Sequence, residues 1–207
     1  MKPVAVFSLF FIFIVFYLYS RVFFPGLSFW QAQMFFMLLP GIVMAFYING
    51  AGLISGGNLT FKNFSGFIIL SILVVVLLNA SSYLLSQVFH LTSEAMRISP
   101  DIKAPFLPWK QPFLLWSICL LPALAEEFFF RGFFQKALSK TLDYRVSIAI
   151  TSFLFAFIHF SKWEFPLLFL ISLFFGWALE KYKSLLFPII AHFITNVIGL
   201  ILLGYNL

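Results

Sequence analysis

Residues 113–134 read FLLWSICLLPALAEEFFFRGFF. A helix needs about 20 mostly apolar residues to cross the hydrocarbon core of a bilayer, and this run is long enough. Yet it holds two adjacent carboxylates, Glu126 and Glu127, and a guanidinium, Arg131. The rest of the chain is just as apolar. Its 207 residues are 62% hydrophobic, 21% aromatic and 10% charged, against about 45–50% apolar and about 25% charged in a soluble domain. That leaves too little polar surface to coat a water-soluble globule. Cytosolic enzymes, disulfide scaffolds, coiled coils and disordered tails are excluded. The expected class is all-α, a polytopic transmembrane helix bundle.

Working outward, six more apolar runs bring the total to about seven spans. They are Val4 to Tyr19, Phe29 to Ile48, Phe67 to Phe89, Val146 to Phe160, Phe165 to Leu179 and Leu185 to Leu203. The first starts beside Lys2 like a signal peptide, but Ser20-Arg21-Val22-Phe23 offers no small-residue cleavage site, so it reads as an uncleaved span. Pro40-Gly41 predicts a kink in the second. The last three runs are joined by short polar gaps and are expected to be antiparallel neighbours. Two longer gaps interrupt the pattern. Asn49 to Phe64 carries Gly50, Gly52, Gly56 and Gly57 without a phosphate-loop context and reads as a flexible loop. Leu91 to Pro112 carries four prolines and reads as an interfacial segment.

The charge balance is 13 Lys and Arg against 7 Asp and Glu. The basic residues fall mostly in the short gaps, where they set topology rather than bind nucleic acid. An N-inside arrangement places Lys2, Lys62, Lys136, Lys140, Arg145, Lys181 and Lys183 on the cytoplasmic side. Arg21, Arg97, Lys103, Lys110 and Lys162 then lie on the other side, a narrow bias. The single cysteine, Cys119, reads as a small buried hydrophobe.

A charge at the middle of a spanning helix costs about 2.5–3.5 kcal/mol on insertion scales, so three so close together need partners, water or a task. Helix geometry separates the two carboxylates. Glu127 and Arg131 stand at i and i+4 on one face, in the favourable acid-before-base order. Glu126 points about 140° away from Arg131. Glu127 is therefore expected to be neutralised by Arg131, while Glu126 faces something else and is available as a general base. An internal pair that merely satisfies itself explains Glu127 and Arg131, but not a second, adjacent Glu. Three histidines remain. His90 reads as an interfacial side chain at the end of the third run. His159 closes the run Phe153 to His159. His192 precedes Asn196 by four residues, so both project from one face. Such a pair either holds a buried network together or receives the oxygen of a polarised carbonyl.

The ordered set Glu126-Glu127-x-x-x-Arg131, Phe155-x-x-x-His159 and His192-x-x-x-Asn196 resembles the CPBP family of intramembrane proteases. That family includes the type II, Rce1-like CAAX prenyl proteases and relatives associated with bacteriocin processing and immunity. The resemblance covers the C-terminal part, roughly Phe113 to Gly204, and divides the chain into residues 1–110, N-terminal spans with an interfacial loop, and residues 111–207, a catalytic transmembrane core. It implies an endopeptidase acting inside a bacterial or archaeal cell membrane on a membrane-associated peptide or protein. Glu126 and His159 would activate the attacking water. His192 and Asn196 would form an oxyanion hole. Glu127 and Arg131 would brace Glu126, and Phe155 would pack beneath His159.

Zinc is the alternative cofactor, with Glu126, His159 and His192 as its ligands. No His-Glu-x-x-His motif supports it, and if His192 serves the oxyanion only two ligands remain, too few for the usual zinc site. A metal-free site is therefore expected. The rival functions are a small proton-coupled transporter, since intramembrane Glu, His and Arg also build proton relays, and a non-catalytic immunity or scaffold protein. One tension is geometric. At 1.5 Å per residue, Glu126 and His192 lie about 9–10 Å from the cytoplasmic ends of their runs, but His159 lies about 20 Å in. A common depth requires the fourth helix to run past Phe134 or the fifth to begin after Val146.

Overall fold

The computed structural model describes residues 3–24, 29–49, 52, 60–89, 112–159 and 164–205. These form seven helical stretches and, among the described residues, no strand. In chain order they are α1 (Pro3–Leu18, with a short turn at Ser20–Phe23), α2 (29–49), α3 (Phe61–Phe89), α4 (112–138), α5 (Tyr144–Phe157), α6 (Phe165–Tyr182) and α7 (Leu186–Tyr205). Each coincides with one of the seven apolar runs. His90 and most of the two long gaps lie outside the described residues. The fourth helix continues to Leu138 and the fifth begins at Tyr144. The α4 extension goes in the direction that the depth argument requires, whereas the α5 start, before Val146, does not.

Three segments are long and apolar enough to cross a membrane: Gln31–Asn49, Asn63–Ser81 and Phe165–Tyr182. Val4–Leu18, Tyr144–Phe157 and Leu186–Ile201 are shorter apolar helices. Only 17% of the Asn63–Ser81 window is buried inside the molecule. Ile69, Leu73 and Leu77 on it point outward, which in water would be a large sticky face and in lipid is an ordinary one. Such helices make this an integral membrane protein.

α4 lies at the centre. Every residue from Glu127 to Gln135 is buried. Val6, Phe10 and Ile14 of α1, Met37 of α2 and Phe155 of α5 pack around Phe129, Phe130, Phe133 and Phe134. The Phe10 ring sits 4.3 Å from that of Phe134 and 5.4 Å from that of Phe129. A second cluster joins Phe67 of α3 to Phe175 and Tyr182 of α6 and Phe187 of α7. Asp143 caps α5 by accepting from the Arg145 backbone N–H at 2.8 Å. Lys183 takes the left-handed conformation, φ 53°, at the tight turn from α6 into α7.

Two helices depart from α geometry. α2 widens into a π-helical turn at Met34–Leu38, and α4 does so at Leu115–Leu120 and again at Glu127–Gln135. The first two have a cause in sequence. Pro40 and Pro122 each follow a wide turn by two residues, and a proline ring clashes with the carbonyl four residues back while lacking an N–H for it. The third contains no proline. Its Gly132 carbonyl accepts instead from Asn49 Nδ2 of α2, at 2.9 Å. Wide turns of this kind occur often at functional sites.

α2 and α4 approach closely at Gly41. A Cβ there would lie 2.8 Å from the Phe129 backbone nitrogen and 3.1 Å from the Phe128 carbonyl carbon. Backbone cannot give way as a side-chain tip can. Gly41→Ala is therefore expected to lower the thermal unfolding midpoint in detergent, at about 1–3 kcal/mol for an overpacked contact. Gly66→Ala, where a Cβ meets nothing within 4 Å, should hold or raise it through helix propensity.

Candidate active site

The wide turn at Glu127–Gln135 aims Glu127 and Arg131 into the bundle, both fully buried. Arg131 Nη1 donates to Glu127 Oε1 at 2.9 Å. Arg131 Nη2 donates to Ser172 Oγ of α6 at 2.6 Å and to the Ser172 carbonyl at 3.2 Å. Its guanidinium carbon lies 4.7 Å from the Phe155 ring centroid and 5.3 Å from that of Phe175, within the range of cation–π attraction. A planar fork suits this place better than a point charge, because it bonds a carboxylate and a hydroxyl at once between aromatic rings.

His192 of α7 completes the cluster. Its ring stacks on Phe175 with centroids 5.1 Å apart, and Phe155 meets it edge-on at 5.8 Å. Nδ1 lies 2.8 Å from Glu127 Oε1. A carboxylate partner assigns the Nδ1 proton to that bond and orients the ring. The opposite nitrogen, Nε2, faces Glu126 Oε2 at 3.8 Å. Glu126 is buried, and its Oε2 has no hydrogen-bond partner in the protein. The two glutamates thus divide as the helical wheel indicates. Glu127 is tied to Arg131 and His192, and Glu126 faces the Nε2 edge of the imidazole.

Two sequence candidates sit apart from this group. His159 is at the exposed end of α5. Its Nδ1 is 2.7 Å from the Phe155 carbonyl, and its ring centroid is 4.8 Å from that of Phe155. Phe155 does lie against His159, and it also touches Arg131 and His192. Among the described residues no ion pair joins His159 to a glutamate. Asn196 is half-buried, and its Nδ2 donates to the Cys119 carbonyl at 3.2 Å. It therefore joins α7 to α4 beside the wide turn at Leu115–Leu120.

Three partners have no sequence expectation behind them. Ser172 holds Arg131, Asn49 holds the Gly132 carbonyl, and Gln33 of α2 donates from Nε2 to Glu126 Oε1 at 3.5 Å. Their only signal is a polar residue within an apolar run. Two cavities, one of about 320 Å³ beside Tyr47 and Lys140 and one of about 410 Å³ beside Phe7 and Phe153, lie elsewhere. No residue of the cluster lines either of them.

Among the described residues no three His, Cys, Asp or Glu side chains form a group able to hold an ion. Glu126, His159 and His192 are accordingly not assembled as a zinc sphere.

No curated protein and no solved structure matches the chain. Residues 108–198 match the model of a family described as type II CAAX prenyl endopeptidase, Rce1-like. All of the cluster and its partners but Gln33 and Asn49 fall within those limits, and over these residues the chain is similar to the Rce1-like family.

Proposed function

We propose that the protein is an intramembrane endopeptidase that hydrolyses a peptide bond of a membrane-associated substrate, with Glu126 as the general base. The observation that carries this reading is the position of Glu126. It is a buried carboxylate oxygen without a partner, 3.8 Å from an imidazole that the Glu127–Arg131 pair holds in place. A base oriented beside a fixed second group is the arrangement that nucleophile activation needs.

In the reaction, Glu126 removes a proton from water as the water oxygen attacks the scissile carbonyl carbon. The oxyanion that forms is met from α7, by the amide N–H of Asn196 and, when the His192 ring carries a proton on both nitrogens between the two glutamates, by its Nε2–H one turn earlier. His159 meets the substrate from the exposed end of α5. Its Nδ1 is engaged by Phe155, which turns Nε2 outward. Glu126 then passes the proton to the leaving nitrogen as the C–N bond breaks, giving a carboxylate and an amine. Phe155 and Phe175 keep the Arg131 side of the cluster dry.

The substrate belongs at a membrane surface, because the family acts on membrane-associated proteins and the site is surrounded by apolar helices. The proposed chemistry needs no metal. Purified protein in liposomes should cut members of a lipid-anchored peptide library, detected by mass spectrometry as new termini. Cleavage should persist after treatment with a strong zinc chelator. Loss of cleavage on chelation, restored by zinc, would replace this mechanism with a metal-dependent one.

A further inference from the structure

Among the described residues, the side chain of the N-terminal half that bonds a carboxylate of the cluster is that of Gln33. The residue is 1% exposed on α2, immediately before the wide turn at Met34–Leu38. That turn packs against the part of α4 that carries the glutamates. Gln33 thus lies outside residues 108–198, yet reaches the candidate base across 93 positions of sequence.

The chemistry of the contact is asymmetric. A carboxylate only accepts, so the Gln33 amide must turn its N–H₂ towards Glu126 and its carbonyl away. Nε2 lies 3.5 Å from Glu126 Oε1. That is long for a hydrogen bond, but it is charge-assisted and shielded from bulk water. Gln33 Oε1 and Glu126 Oε2 are both buried without a partner in the protein. A glutamine placed only for stability would not leave its own carbonyl unsatisfied in an apolar bundle, where that costs more than a well-packed methionine. The other polar group facing Glu126 is His192 Nε2, and it faces the opposite oxygen, Oε2.

We infer that Gln33 is a positioning residue of the site: its amide holds Oε1 of Glu126 so that Oε2 is presented to the reacting water beside His192. The inference rests on the endopeptidase reading. It makes α2 a functional part of the site and not only its wall.

The test uses the full chain in liposomes with Gln33→Met, which keeps the volume and removes both polar atoms, and Gln33→Leu as a second variant in case the first is unstable. Two readouts are taken. The first is kinetic: kcat should fall about ten- to a hundredfold, the size of a lost charge-assisted bond, with KM and the unfolding midpoint unchanged. The second needs no substrate. The infrared carboxylate stretch of Glu126, isolated as the band lost in Glu126→Gln, should move in Gln33→Met. It should stay in place in Asn79→Leu, whose amide bonds Val75 on its own helix. An unmoved band overturns the inference, and so does a moved band with wild-type kcat. If the unaltered protein cleaves no peptide, the endopeptidase reading falls, while the infrared band still decides whether Gln33 holds Glu126.

Discussion

Glu126→Gln is expected to reduce peptide cleavage by about 10²–10⁴-fold, the usual contribution of a general base, and to leave the protein folded. Glutamine has the shape of glutamate and keeps an oxygen to accept from Gln33. It removes a buried charge that has no ion-pair partner as close as Glu127 has, so the unfolding midpoint should hold or rise. The adjacent residue should behave in the opposite way. Glu127 Oε1 receives both Arg131 at 2.9 Å and His192 at 2.8 Å. Glu127→Gln strands a guanidinium at 0% exposure and should first appear as lost stability. Two neighbouring carboxylates that separate this way, one in kcat and one in unfolding midpoint, would identify their roles. Activity assays and thermal unfolding of both variants, in one detergent, make the comparison.

Arg131→Met is expected to destabilise the protein by about 3–5 kcal/mol, the cost of leaving one charge of a buried pair uncompensated. Glu127 is the charge left behind, with Oε2 already unpartnered. The Ser172 hydroxyl and carbonyl lose their donor as well. Removing both charges, in Glu127→Gln/Arg131→Met, should recover much of that loss, because a buried pair replaced by packed neutral groups is often close to neutral. A double-mutant cycle measures this coupling. Arg131→Lys should be intermediate, since one ammonium on a flexible stem cannot reproduce the fork that spans Glu127 and Ser172 between two rings. If Arg131→Met proved as stable as the parent, the ion pair would not be the brace described here.

The helical runs are legible because lipid imposes length and apolarity on a crossing helix, and three of them have the length and apolarity to cross. The four-residue spacing of Glu127 and Arg131 gave the ion pair correctly, and the same wheel set Glu126 apart. It could not say what Glu126 would face. The imidazole near it is that of His192, whereas His159 stands at an exposed helix end. The i, i+4 pair of His192 and Asn196 also divides, with one side chain turned to the glutamates and the other to the Cys119 carbonyl. Spacing shows that two residues share a face, but the neighbours on that face decide their bonds. Gln33 and Ser172 were not legible for a related reason. A lone polar residue in an apolar run has no period, and the partners lie 93 and 41 positions away. The wide turns were half-legible. Pro40 and Pro122 mark a break in the regular ladder, but the turn at Glu127–Gln135 has no proline, and a wheel drawn at 100° per residue does not contain it.

The most direct test is hydrolysis in ¹⁸O-labelled water. The reconstituted protein, given a lipid-anchored peptide, should place one labelled oxygen in each newly formed carboxyl terminus, and Glu126→Gln should yield no such product above background. Vesicles that move protons through the same charged cluster while no labelled terminus forms would contradict the hydrolase and leave a relay in its place.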